Sequence, residues 1–154
     1  MNLLPVKKVT RKTGQATQFA ALCYRMRKGK KCEILLVTSR GTGRWIPPKG
    51  WPMKGKSPEK AAAQEALEEA GVKGRVHRVA LGRYKYHRDE NNCGKMSTEA
   101  YIFPLKFKSF AKDYKEKGQR KVKWFSPKKA AMMVREPELK KIIRSFDPDL
   151  LYPS

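Results

Sequence analysis

The segment from Gly50 to Val72 constrains the fold of this 154-residue chain more than any other part of the sequence. It begins as a loop rich in glycine and proline and continues into the run PEKAAAQEALEEA, which is typical of a helix. Ser57 is a good N-cap, Pro58 suits the first helical position, and Gly71 suits the left-handed position after the last turn. The sequence therefore predicts a capped helix over residues 57–70 that follows a shaped loop.

Two faces of different chemistry are predicted on this helix. At about 100° per residue, small apolar residues fall on one side and acidic residues on the other. The apolar set is Ala63, Ala66, Leu67 and Ala70, and the acidic set is Glu65, Glu68 and Glu69. We expect the apolar side to dock on a sheet and the three carboxylates to point outward as a group.

Carboxylates at these spacings repel one another by roughly 0.2–0.5 kcal/mol per pair, and they lie near the negative end of the helix dipole. Nearby Lys and Arg side chains can compensate, which would make this an ordinary solvated face. Alternatively, a hard divalent cation binds there, because such ions prefer oxygen ligands. The helix alone leaves both interpretations open.

Strand-like runs surround the predicted helix. Residues 17–26 and 32–39 are apolar and are separated by a turn at Gly29, which predicts a β-hairpin whose second strand is covered on both faces. Periodicity predicts further strands over 74–88, 97–107 and 121–126, and further helices over 128–134 and 136–146. These patterns alone indicate a mixed α/β fold.

The charge of the chain predicts an anionic partner. There are 36 Lys and Arg residues against 14 Asp and Glu, which gives a formal net charge of +22. Residues 1–16 have no periodicity and predict a loose basic arm, followed by a single domain over 17–154. Charge by itself does not separate a specific anion site from general attraction to nucleic acid, so non-specific nucleic-acid binding is also expected.

Cysteine usage and hydropathy exclude several classes of protein. Cys23, Cys32 and Cys93 are odd in number and lack close pairing, so neither a disulfide framework nor a zinc knuckle is indicated. No eighteen apolar residues run together, and the N-terminal apolar stretch is too short for a secretory leader. We therefore expect a cytoplasmic protein that does not contact membranes.

The pattern G-x14-E-x-x-E-E-x-G-V resembles the Nudix box of the Nudix hydrolases. The matching residues are Gly50, Glu65, Ala66, Glu68, Glu69, Gly71 and Val72. The resemblance extends from near Thr17, through RWIPPKGW, to WFSPKKAA and the last helix. It implies the α/β class and a Nudix-type α/β/α sandwich around a mixed β-sheet.

The same resemblance implies a site for Mg²⁺ or Mn²⁺. The expected metal ligands are Gly50, through its carbonyl, and Glu65, Glu68 and Glu69, and the expected catalytic residues are Glu65 and Glu68. A carboxylate beside the attacking water would act as general base, and Glu65 is one candidate. The family also recruits bases from outside the box, so Asp89, Glu90 and Glu99 are further candidates.

Within the family, the chain looks most like the branch that cleaves diphosphoinositol polyphosphates and dinucleoside polyphosphates. We therefore expect a polyphosphorylated small molecule as substrate. The candidates for phosphate binding are Arg40, Arg44, Lys49 and Lys56, on or beside the loop before the metal helix, where Lys54 also lies. The alternative is a basic protein of the same fold that binds nucleic acid or processes RNA 5′ ends.

Two positions depart from the box. Lys56 stands where the box has its first Glu, and Gln64 stands where it has Arg. In the family these two residues brace the loop and the helix through an ion pair, so the joint change removes the pair without leaving one charge stranded. The departure puts the rigidity of the loop in doubt more than metal binding. The competing interpretation is a decayed active site.

Overall fold

A computed structural model describes residues 16–29, 31–87 and 97–151 of the chain. It contains eight strands, three α-helices and one short 3₁₀ turn in these ranges. The strands are β1 (Ala16–Arg27), β2 (Lys31–Thr38), β3 (Trp45–Ile46), β4 (Lys49–Gly50), β5 (Val72–Val76), β6 (Gly82–His87), β7 (Ser97–Phe110) and β8 (Val122–Phe125). The helices are α1 (Pro58–Ala70), α2 (Pro127–Met133) and α3 (Pro137–Arg144), and the 3₁₀ turn is Pro148–Leu150.

The strands form one mixed sheet. Its main path runs β3-β2-β1-β7-β5, while β4 pairs with β1, β6 with β7 and β8 with β2. The pair β1–β7 is parallel and every other described pair is antiparallel. The predicted hairpin is confirmed, since β1 and β2 pair around a turn in which Gly29 has a φ of 84°.

Helices cover both faces of the sheet. On one face, α1 buries alanines against Phe19, Leu35 and Phe103. On the other face, α2 and α3 bury residues such as Leu139 against Leu22, Tyr24 and other apolar side chains. The α/β/α sandwich around a mixed sheet is confirmed, and β2 contributes to both cores, as its continuous apolar run predicts.

The single long strand predicted over 74–88 is wrong. The chain forms β5 and β6 instead, and both lie antiparallel along the same edge of β7. Between them, five residues stand opposite Phe103 and Pro104, with the His77 amide donating to the Pro104 carbonyl at 2.8 Å. Pro104 has no N–H to return, so the ladder is interrupted there.

The caps predicted for α1 are present. Pro58 is the first residue of the helix, Ser57 is the N-cap, and Gly71 is in the left-handed conformation with a φ of 69°. The Ser57 hydroxyl donates to the Glu59 carboxylate and makes no side-chain cap bond to the helix. At the carboxyl end of α1, the Gly71 amide donates to the Ala66 and Leu67 carbonyls. Capping hydrogen bonds are therefore more complete at the carboxyl end of this helix than at its amino end.

Several predictions fall outside the described residues. The basic arm over 1–16 does so except for Ala16, which begins β1. Cys93, Asp89 and Glu90 also lie outside. None of the helices within 16–29, 31–87 and 97–151 has the length and apolar character needed to cross a bilayer.

Replacing Gly71 by Ala is expected to destabilise the fold by more than its backbone conformation alone accounts for. A Cβ there would lie 2.5 Å from the ring of Tyr114, in addition to the left-handed penalty of about 1–2 kcal/mol. Gly118→Ala is the matched control, because Gly118 also has a positive φ and nothing lies within 4 Å of its added Cβ. Urea denaturation should give a larger loss of unfolding free energy for Gly71→Ala, and equal losses would contradict the contact with Tyr114.

Candidate functional site

The loop before α1 meets the helix where Gly50 contacts Glu65. Strand β4 holds Gly50 against Phe19 of β1, and α1 lies over this pairing. A Cβ added to Gly50 would lie 2.2 Å from Cδ of Glu65 and 2.3 Å from its Oε1. The Glu65 carboxylate therefore packs directly on the main chain of Gly50, in a space that any other residue would fill.

The outward orientation predicted for all three glutamates is wrong for Glu69. Its exposed fraction is 3%, and it shares the buried face of α1 with Ala62, Ala66 and Ala70. Because the alanines are small, the helix packs close to the sheet. Glu69, which lies on the same face, is therefore buried as well. Glu65 and Glu68 are half-buried at the flank of the helix.

The carboxyl groups of Glu65 and Glu69 contact each other through a side-chain hydrogen bond. Burial raises the pKa of both groups, and the hydrogen bond that protonated Glu69 donates to Glu65 raises the pKa of Glu69 further while it opposes the rise for Glu65. The fold therefore holds two acids one turn apart in a place that disfavours two negative charges. A cation bound between them would remove that penalty.

The segment between β7 and β8, residues 111–121, covers the carboxyl end of α1. Glu116 brings a fourth carboxylate to the cluster, and its charge raises the pKa of both Glu65 and Glu69. Arg120 lies beside them with a side-chain exposure of 9%, at 3.1 Å from Glu116 Oε1 and 3.8 Å from Glu69 Oε1. Neither residue was predicted from the sequence, because residues 111–121 have neither periodicity nor a recognisable motif.

The donor set fits a hard divalent cation. Within the described ranges, no three side chains among His, Cys, Asp and Glu are already gathered closely enough to enclose a metal ion. Glu68 accounts for part of this, since its Oε1 is 3.7 Å from Nζ of Lys115. Yet Glu65 and Glu69 present carboxyl oxygens together against the Gly50 main chain, and Mg²⁺ needs only a few carboxylates because water completes its shell.

Two of the four predicted phosphate-binding residues are engaged with glutamates. Arg44 Nη1 donates to both carboxylate oxygens of Glu136, at 2.9 and 3.2 Å, and Glu136 is 6% exposed. Arg40 is exposed and lies 3.4 Å from Glu116, with a further bond to Gln119. Arg44 therefore ties the loop before β3 to the start of α3, while Arg40 borders the carboxylate cluster.

Lys49 and Lys56 lie in different surroundings. Lys49 precedes Gly50 in β4, and its Nζ donates to Gln18 at 3.3 Å and lies 4.2 Å from the centroid of the Tyr86 ring. Burial lowers the pKa of Lys49 to about 8, an effect that the Glu69 carboxylate partly offsets. Lys56 lines a cavity of about 320 Å³ between α1 and β5, together with Gln64. The structure thus places the Lys49 ammonium against Gln18 and Tyr86, on the face of the sheet opposite α1, and places Lys56 beside the flank of the helix.

Glu99, proposed as an additional acid or base, is buried in β7. Its Oε1 pairs with Nε of Arg83 at 3.2 Å, and no contact with Glu65, Glu68 or Glu69 is recorded within the described part of the chain. Of the two tryptophans beside the loop, Trp45 packs on Phe125 at 5.1 Å between ring centroids. Trp51 is 44% exposed.

Comparison with known proteins places the chain among Nudix proteins. The model of the NUDIX domain matches residues 16–149. Diphosphoinositol polyphosphate phosphohydrolase 3-alpha of Mus musculus is 35% identical over 109 residues, which is 69% of this chain and 61% of the mouse protein. Nudix hydrolase 12, mitochondrial, of Arabidopsis thaliana is 29% identical over 120 residues, covering 75% of this chain and 59% of that protein. The chain thus spans about three fifths of the length of these relatives.

Solved structures share the fold at low sequence identity. A C. elegans Ap4A hydrolase binary complex superposes with a TM-score of 0.61 and 22% identity, covering 84% of this chain and 93% of the other. A NUDIX hydrolase from Nitrosomonas europaea gives a TM-score of 0.64 and 23% identity, covering 84% and 86%. At these identities the superpositions support the fold alone.

Replacing Gly50 by Ala is expected to weaken Mn²⁺ binding about tenfold or more, because the new methyl group would displace the Glu65 carboxylate by steric overlap. The φ of Gly50 is not in the left-handed region, so the backbone itself tolerates Ala. Gly55→Ala, in the same loop, is the control for loop strain without steric overlap, because Gly55 has a φ of 79° and nothing lies within 4 Å of its added Cβ. Titration followed by Mn²⁺ electron paramagnetic resonance measures the affinity, and an unchanged value in Gly50→Ala would exclude Glu65 as a ligand.

Replacing Arg44 by Ala is expected to lower the free energy of unfolding by on the order of 3 kcal/mol, since it leaves a buried carboxylate without its partner. The matched control is Arg40→Ala, which removes an exposed arginine that also contacts a glutamate. That change should cost less than about 1 kcal/mol. Equal stabilities of the two variants in urea would show that the Arg44–Glu136 pair is not structural and would favour phosphate binding by Arg44.

Proposed function

We propose, because the chain belongs to the Nudix family, that it is a metal-dependent hydrolase that cleaves a phosphoanhydride bond in a polyphosphorylated small molecule. The observation that carries the proposal is the contact of the Glu65 carboxylate with both the Gly50 main chain and the Glu69 carboxyl. Oxygens in this arrangement suit Mg²⁺ or Mn²⁺.

In the proposed mechanism, Gly50, Glu65, Glu68 and Glu69 would hold the divalent cation. When bound, such an ion would neutralise the pyrophosphate and lower the pKa of the attacking water. Glu65 or Glu68 then accepts the proton of that water as general base, since both are half-buried at the edge of the cluster. For Glu68 this requires release from Lys115, which now lies 3.7 Å away.

The proposed substrate class is diphosphoinositol polyphosphates or dinucleoside polyphosphates. The mouse relative is named for the first class, and the C. elegans structure is of an Ap4A hydrolase. A chain of net charge +22 suits substrates that present many phosphates. Arg40, at the border of the carboxylates, is the best placed of the candidate phosphate-binding residues, whereas Arg44 is held by Glu136 and the Lys49 ammonium lies against Gln18 and Tyr86.

Replacing Glu65 or Glu69 by Gln is expected to lower kcat about 100-fold or more on the best substrate, since each change removes a metal ligand or base. The assay is a Mg²⁺-dependent screen over diphosphoinositol, dinucleoside and nucleotide-sugar substrates and capped RNA, with products resolved by ion exchange. Glu59→Gln is the control, because Glu59 lies in the first turn of the same helix and is bonded to Ser57.

Turnover that survives in both variants would overturn the assigned roles. The absence of turnover on every substrate would favour the interpretation that Lys56 and Gln64 mark a decayed site.

A second candidate function, nucleic-acid binding, draws on the net charge of +22. It predicts an affinity for RNA or DNA that falls steeply with salt and is the same in Glu69→Gln. Turnover of capped RNA in the screen would join the two functions. A cytoplasmic location is also part of the proposal, and cell fractionation tests it.

A further inference from the structure

The amino end of α1 is weakly held. The helix rests on the sheet through alanines, which contribute little apolar area per residue, and Ser57 makes no side-chain cap bond. Beside its first turns is the cavity of about 320 Å³, whose polar lining is Lys56, Lys60, Gln64 and Lys73. None of the described residues in this lining is a carboxylate, so no ion pair among them spans the cavity. On this side α1 is positioned by its apolar packing on the sheet alone.

The carboxyl end of α1 is held by the segment of residues 111–121. The Ala111 amide donates to the Gly71 carbonyl at 2.7 Å, and the Glu116 amide donates to the Glu68 carbonyl at 2.9 Å. The Tyr114 ring packs on Gly71 so closely that no side chain fits there. The segment thus satisfies a carbonyl in the last turn, where intrahelical partners are lacking.

The same segment supplies positive charge at the carboxyl end of α1. The last turn of α1 has no basic residue, although it carries Glu68 and Glu69 at the negative end of the helix dipole. Lys115 lies 3.7 Å from Glu68, and Arg120 lies 3.8 Å from Glu69.

Arg120 links this helix end to the sheet. Its Nη1 donates to the Thr38 carbonyl at the end of β2, at 3.0 Å, while its Nε and Nη2 donate to the Glu116 carboxylate. Thr38 also exchanges backbone and side-chain hydrogen bonds with Lys121. One guanidinium therefore spans β2, the segment and Glu69.

We propose that residues 111–121 form a clamp that positions the carboxylates of α1, with Arg120 as the positioning residue for Glu69. Lys56 and Gln64 cannot form the ion pair that the Nudix box has at these two positions. The clamp at the carboxyl end holds the helix in its place. The metal readout of this inference rests on the proposed function, whereas the clamp itself does not.

Two variants test the clamp without changing net charge. Tyr114→Ala removes the packing on Gly71, and Arg120→Lys keeps the charge but loses the planar group that makes several hydrogen bonds at once. Arg40→Lys is the matched control, because Arg40 contacts the same Glu116 carboxylate and Gln119, and its polar contacts among the described residues include neither α1 nor β2. Each variant is also made with Lys56→Glu and Gln64→Arg, which install an acid and an arginine beside the cavity.

Hydrogen exchange measured by mass spectrometry should show amides of residues 64–71 exchanging about tenfold faster in both clamp variants, with β1 and β7 unchanged. Mn²⁺ affinity, from electron paramagnetic resonance, should fall about fivefold or more, because disordered ligands bind less tightly. Adding Lys56→Glu and Gln64→Arg should reverse at least half of the change in the logarithm of the exchange rate. It should also reverse at least half of the change in the logarithm of the Mn²⁺ affinity.

Three results would overturn the clamp. These are exchange in residues 64–71 no faster than in Arg40→Lys, an equal acceleration throughout β1 and β7, and no rescue by the added pair. If the unmodified protein binds no Mn²⁺, the proposed function fails instead, and the exchange data still decide whether the clamp exists.

Discussion

The close approach of α1 to the sheet is the contact on which the site depends. Ala62, Ala66 and Ala70 have side chains small enough to bring the helix axis near β1. This short distance determines the contacts of Glu65 and the burial of Glu69. Glu65 reaches the main chain of Gly50, and Glu69 is drawn out of water. Larger residues on that face would lift the helix and separate the two carboxyls from the loop.

Burying Glu69 has an electrostatic cost that the surroundings offset in two ways. The pKa of the group is raised, so it can hold a proton, and Arg120 opposes that shift from 3.8 Å. Neither effect compensates for the repulsion between Glu65 and Glu69 when both are ionised. The site is thus organised around positive charge, and the lysines and arginines of the surface extend the same preference to the anions that approach it.

Local chemistry made α1 predictable from sequence. Ser57, Pro58 and Gly71 each favour one conformation at one helix position, so the bounds of the helix followed from the residues themselves. The Gly50–Glu65 contact was expected only through the family pattern, because fifteen positions separate the two residues. The strand predicted over 74–88 failed for a non-local reason, since the interruption comes from Pro104 in a partner strand.

The contribution of residues 111–121 could not be predicted either. Glu116 and Arg120 act on residues about fifty positions earlier, and residues 111–121, with their lysines, turns and one tyrosine, carry no signal of that contact. The burial of Glu69 was not predicted, because helical periodicity gives the angle of a side chain around the helix axis but not how closely the helix packs on the sheet.

The parallel pairing of β1 with β7 has a consequence for the order in which the molecule assembles. Their partners lie roughly eighty residues apart in sequence, and closing so long a loop is a slow step in folding. Gly50 and all three box glutamates belong to that loop, and residues 111–121 emerge only after it. During synthesis, therefore, the carboxylates of α1 are made before β7 and residues 111–121, which pack around them in the folded chain.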